Sequence, residues 1–214
     1  MADAAYVQKA IRIRNVCGLF LIIYTLLAAS YSITAGNTLL LSWHPDLPVM
    51  SGTILVCTVF ITASLLTVWI QTIPELIVFA VSIVWSLSIC LMNVYLRLVH
   101  SEFDLEFLFG LQRSSEMHMS LLSTFVIILI HWVTIAVAFD FAGTEKLTRY
   151  AFRSVVFLTI VVQFVQLLSI NSDLSVNDNL LISLPEAAIY VGVLYVLKII
   201  FKLKNKRPKR ALVF

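Results

Sequence analysis

The sequence predicts an all-α, polytopic membrane helix bundle of six transmembrane helices, with the N-terminus and the C-terminus both cytosolic. Three observations predict it. Apolar residues make up 60% of the 214-residue chain and charged residues only 13%, and the mean hydropathy of +0.97 is too high for a soluble core of this size. The apolar residues gather into six stretches, each near the roughly 17–25 residues that a helix needs to cross a bilayer. Most of the charges fall between those stretches, with basic residues gathered on one side and acidic residues on the other. The connecting segments are too short for a second folded unit. The chain therefore divides into a basic cytosolic N-terminus (1–15), a six-helix transmembrane domain (16–201) and a cytosolic polybasic tail (202–214).

The first stretch, 16–34, follows Lys9, Arg12 and Arg14. Basic residues ahead of an apolar run have the pattern of a signal peptide, with Ala28-Ala29-Ser30 as a cleavage region, but the run is longer than a signal core and reads as an uncleaved helix. Arg12-Ile13-Arg14 also has the spacing of an arginine-type endoplasmic reticulum retention signal, although flanking charge explains it more simply. The second and third stretches are 51–70 and 76–96. Thr72-Ile73-Pro74-Glu75 opens the third helix and Ser183-Leu184-Pro185-Glu186 the sixth. Each reads as a capping box, in which a hydroxyl and a carboxylate three residues on satisfy first-turn amides. The two helices run in opposite directions, as in an inverted repeat of three helices plus three. Loops of unequal length argue against the repeat, and shared capping chemistry explains both sites.

The fourth stretch, 120–142, places an imidazole, His131, in the middle of an apolar span. Thr124, His131 and Thr134 share one side at 100° per residue, which predicts an inward face. Asp140, nine residues on, is half a rotation away, so a His-Asp relay within this helix is excluded. The fifth and sixth stretches, 154–170 and 184–201, are close to the lower limit of about 17 residues, which would suit a thinner membrane such as the endoplasmic reticulum.

Orientation follows from the basic residues, because cytosolic flanks retain them. Thirteen of the fifteen Lys and Arg residues fall on the side of the N-terminus and only Arg97 and Arg113 on the other. The loops on that other side hold Asp46, Glu102, Asp104, Glu106, Glu116, Asp173 and Asp178 and carry no Asn-x-Ser/Thr sequon. An even number of crossings is the consequence.

Two further polar stripes join the face of His131. Ser82, Ser86 and Cys90 recur every fourth residue on the third helix with Asn93 beyond them, and Thr159, Gln163 and Gln166 form a stripe on the fifth. Such stripes let helices approach and hydrogen-bond in a bilayer. Cys17, Cys57 and Cys90 all lie in apolar stretches, so they read as buried thiols rather than disulfides, with Cys57 and Cys90 meeting at one depth and Cys17 a candidate for palmitoylation.

Catalytic and metal-binding motifs are missing from the sequence: there is no His-Glu-x-x-His, Cys-x-x-Cys or Gly-x-Ser-x-Gly, and no pair of deep histidines for a haem. Neither a cofactor nor a nucleic-acid partner is expected. The loop 97–119 alternates His100, Glu102, Asp104 and Glu106 with Phe103, Leu105 and Phe107. An acidic loop dipping into the membrane interface explains this as well as a cation or pH site with His118, Glu116 or His44. Lys202, Lys204, Lys206, Arg207, Lys209 and Arg210 make the tail a topology anchor suited to anionic lipid or a protein partner. The terminal Leu212-Val213-Phe214 has the form of a weak PDZ ligand.

The first functional reading is a non-enzymatic accessory subunit or assembly and trafficking factor of a membrane complex, its polar stripes packed against partner helices. The alternatives are a small-solute or proton-coupled transporter with a polar path around His131, Gln163 and Gln166, and an intramembrane lipid-modifying enzyme. Membrane lipids are partners in every case. The compartment is the endoplasmic reticulum or the plasma membrane.

Overall fold

The computed structural model describes residues 2–35, 42, 50–70, 72–99, 119–170 and 181–205. Among them it is all-helical, with α1 at Ala2–Ala35, α2 at Gly52–Leu66, α3 at Ile73–Leu98, α4 at Leu121–Phe139, α5 at Thr144–Ile170 and α6 at Leu184–Asn205. Five of these, all but α2, hold apolar stretches long enough to cross a membrane. The chain is a multi-pass membrane protein with a helix-bundle fold.

Three element lengths depart from the sequence reading. The basic residues expected in a separate segment 1–15 lie inside α1, whose 34 residues begin at Ala2. The expected 20-residue second helix is only 15 residues long. It ends at Thr67, whose backbone leaves helical values (φ −104°, ψ 5°) while its hydroxyl donates to the Ala63 carbonyl at 2.8 Å, and Val68 then bonds back to Leu65 in a tighter turn. The short fifth helix becomes one of 27 residues. Its start was hidden by charge: Thr144 bonds the carbonyl of Phe141 at 2.6 Å, and Glu145 pairs with Arg149 one turn on at 2.6 Å, so the helix is already wound before the apolar stretch begins. With α5 at 27 and α6 at 22 residues, the argument for a thin membrane loses its basis.

Each helix packs on its neighbours in sequence and α6 returns to α1, while α2, α4 and α6 also meet one another at the centre. Buried residues make up 61% and 56% of the apolar stretches of α6 and α4, against 22%, 33% and 22% for α1, α3 and α5. The even helices are therefore the inner layer, and the odd ones carry the lipid face, with Phe20 and Leu26 on α1, Val84 and Trp85 on α3, and Phe157 and Phe164 on α5 all exposed. Gly18 of α1 lets Leu66 of α2 lie where a Cβ would stand, so these two helices touch at close range.

Contacts fix the directions. Asn93 meets Thr124 near one end of the α3/α4 pair and Phe79 meets Phe139 near the other, so these helices are antiparallel. Glu186 reaches Ser123 and Lys204 reaches Val137, so α4 and α6 are parallel. The inner helices begin at one end of the bundle, each behind a buried serine that follows a buried apolar residue: Met50-Ser51, Met119-Ser120 and Ile182-Ser183. The α4–α5 turn, with Asp140 in the left-handed region (φ 55°), lies at the opposite end beside Lys204. This shared end is what two traverses of the bundle, by α5 and then α6, require.

Candidate functional site

At the serine-capped end the polar side chains bind one another closely. Ser183 caps α6 by accepting from the Glu186 N–H at 3.4 Å, and Glu186 accepts in return from the Ser183 N–H at 3.3 Å. The carboxyl is also held by the Tyr190 hydroxyl at 2.7 Å and by Ser123 of α4. Glu186 is 2% exposed and Tyr190 fully buried. Sequence reasoning recognised Glu186 as a cap but missed this partnership. The signal was the four-residue spacing of Glu186 and Tyr190, which puts both on one helix face. The other predicted box also forms, between Thr72 and Glu75, but it stands on an exposed surface, so the likeness of the two sites stops at the cap.

Beside this cluster, the Asn93 amide donates to Thr124 Oγ1 at 2.8 Å and to the Met119 carbonyl at 3.2 Å, and Arg97 donates to the same carbonyl at 2.7 Å. On the far side of the bundle Gln163 donates to the Ile182 carbonyl at 2.7 Å. Gln166, with its amide turned as its surroundings require, accepts from the Ile182 N–H at 3.1 Å. The predicted stripe of α5 therefore pins the chain that enters α6, and it does not meet His131's helix face through any hydrogen bond among the described residues.

The predicted stripes of α3 and α4 do come together. From the Asn93–Thr124 bond, seven residues along α3 lead to Ser86 and seven along α4 lead to His131. Two turns, about 10 Å, separate the levels, so Ser86 and His131 lie at the same depth on these adjacent helices. The Phe79–Phe139 ring contact, with centroids 6.1 Å apart, closes the pair below them. Both residues are 0% exposed. The Ser86 hydroxyl and both ring nitrogens of His131 have no hydrogen-bond partner among the described residues.

Neighbouring hydroxyls are engaged elsewhere. Thr134 donates to the carbonyl of Ile130, Ser82 to Val78, Thr58 to Ile54 and Thr62 to Thr58, all at 2.7–2.8 Å and within their own helices. Cys57 and Cys90 are free, buried and within hydrogen-bonding reach of one another, as their equal depth predicted.

Buried polar side chains thus recur along α3 and α4 from Asn93, through Ser86 and His131, toward the far end of α4. There Lys204 places its ammonium on the carbonyls of Val137 and Ala138, at 3.0 Å each. Sequence reading placed Lys204 in a lipid-binding tail. The structure puts it, with Lys202, in the last turn of α6. Lys206, Arg207, Lys209 and Arg210, the acidic loop with His100 to Glu106, His44, His118 and the C-terminal triplet lie outside the described residues. No group of three metal-ligating side chains occurs among the described residues. The chain matches no family model, no curated protein and no solved structure.

Proposed function

We propose that this chain is a carrier of small polar solutes or protons across its membrane, working through the column between α3 and α4 with His131 at its midpoint. The observation that supports this reading is the imidazole itself. A ring that is completely buried still has one N–H to donate and one nitrogen to satisfy, or two N–H groups when charged. Leaving them bare costs about 1–3 kcal/mol each. The bundle's own described side chains leave them bare, so the natural partner is something that passes through. Polar rungs above and below, ending in Arg97 and Lys204, support a path rather than an isolated packing residue. The reading assigns no catalytic residue and needs no cofactor.

The accessory-subunit reading loses ground on the same geometry. It would have the polar stripes face partner helices, whereas Thr124, His131, Thr134, Ser82, Ser86, Asn93 and Gln166 are all buried in this bundle. A partner membrane protein is left the apolar faces of α1, α3 and α5, which suit lipid equally well. Both termini are assigned to the cytosol, on thirteen basic residues against two and on the shared end of Lys204 and the α4–α5 turn. The tail then lies against the anionic cytosolic leaflet of the endoplasmic reticulum or plasma membrane.

The test is flux in proteoliposomes loaded in turn with a pH-sensitive dye and with small solutes. Wild-type protein should raise the permeability of at least one species above that of empty vesicles, and His131→Leu should abolish the rise while remaining folded. Wild-type vesicles as tight as empty ones to every species would remove the carrier reading.

A further inference from the structure

We infer that the Ser86–His131 level is a binding site for a small neutral molecule that both donates and accepts hydrogen bonds, and that the species carried belongs to this class. The inference rests on the carrier reading and narrows it.

The charges decide the class. Described charged side chains near the column sit toward its ends: Arg97 and Glu186 at the serine-capped end, Lys204 at the other. Lys198 is nearer His131 in register, but it is turned to α5, where its ammonium lies 4.8 Å from the centre of the Phe152 ring. An ion at this level would be desolvated without a counter-charge, which costs far more than hydrogen bonds alone return. A neutral guest carries no such penalty.

The donor and acceptor pattern decides the rest. A neutral imidazole offers one donor and one acceptor, and a serine hydroxyl can act as either. A guest that satisfies both ring nitrogens must both accept and donate, as ammonia, urea and glycerol do. Around this pair the register brings apolar walls. The Cys57–Cys90 approach sets Ile61 of α2 opposite Ser86, and the parallel offset between α4 and α6 brings Leu194 and Leu197 to the depth of His131; all three are buried. The hydroxyls of Thr58, Thr62 and Thr134 are occupied by their own backbones. Two polar anchors in an apolar sleeve describe a site that orients one small molecule at a time.

Stopped-flow permeability of proteoliposomes to ammonia, urea and glycerol, with proton flux followed separately, tests the site. The expected result is facilitated entry of at least one neutral probe, reduced about tenfold by Ser86→Ala, the equivalent of one lost hydrogen bond. His131→Gln, which keeps a donor and an acceptor, should retain more flux than His131→Leu. Trp132→Leu, on the exposed outer face of α4, should leave the flux unchanged, and monodisperse elution of each variant secures the comparison. Proton flux without any neutral flux would overturn the inference and leave the carrier reading standing. Neutral flux indifferent to Ser86→Ala and His131→Leu would overturn the assignment of the site. Vesicles closed to every probe and to protons would bring down both.

Discussion

The serine-capped end and the middle of the bundle both hold buried polar side chains, yet they differ in how those side chains are satisfied. Glu186 is held by Tyr190, Ser183 and Ser123, and Asn93 by Thr124 and Met119. Two turns deeper, Ser86 and His131 lie at one depth with their polar atoms unpartnered among the described residues. The first arrangement fastens helices. The second keeps hydrogen-bonding capacity that the fold does not use, at a cost the fold bears. Polarity in a membrane interior is thus two different things, and the bond count separates them.

Stability and flux should respond oppositely to substitution in the two regions, and the largest effect belongs to Glu186. Glu186→Ala strips the partners of Tyr190 and Ser183 in a fully buried setting and should destabilise the bundle by about 3 kcal/mol, read from unfolding in mixed micelles. A loss no larger than that of a surface variant would make the cluster ornamental and break the contrast. Asn93→Leu, which frees Thr124 and Met119, should cost about 1 kcal/mol in the same assay, the usual scale of an interhelical bond in a bilayer. Lys204→Met should cost a similar or smaller amount, about 0.5–1 kcal/mol, because the end of α4 keeps access to water. His131→Leu comes last, within about 0.5 kcal/mol of wild type or slightly above it, since an apolar side chain of similar size leaves no bare polar atom except that of Ser86. A severe loss of stability there would mean that the imidazole fastens the bundle after all.

Much of this was legible in the sequence. The bundle follows from hydropathy and charge, and the inward face of Thr124, His131 and Thr134 from their spacing alone. What stayed hidden was where the backbone disagrees with hydropathy. Thr67 ends α2 inside an apolar stretch, and α5 begins among charged residues that a hydropathy window reads as loop. The shared depth of Ser86 and His131 also depends on register between two helices, which neither helix carries by itself and which the Asn93–Thr124 bond sets. Lys204 looked like tail because its target, the end of α4, lies 66 and 67 residues back along the chain.

The common direction of α2, α4 and α6 has an electrical consequence. Peptide dipoles aligned along three adjacent helices add, each leaving roughly half a positive charge at the Ser51, Ser120 and Ser183 end and half a negative charge at the other. The odd helices oppose this field from farther out, against lipid. The interior is therefore polarised along its length before anything enters it, and Glu186 and Lys204 sit where that polarity suits their signs. A cation arriving at the serine end meets the positive potential of three helix N-termini, whereas a neutral dipolar molecule has only to turn in the field.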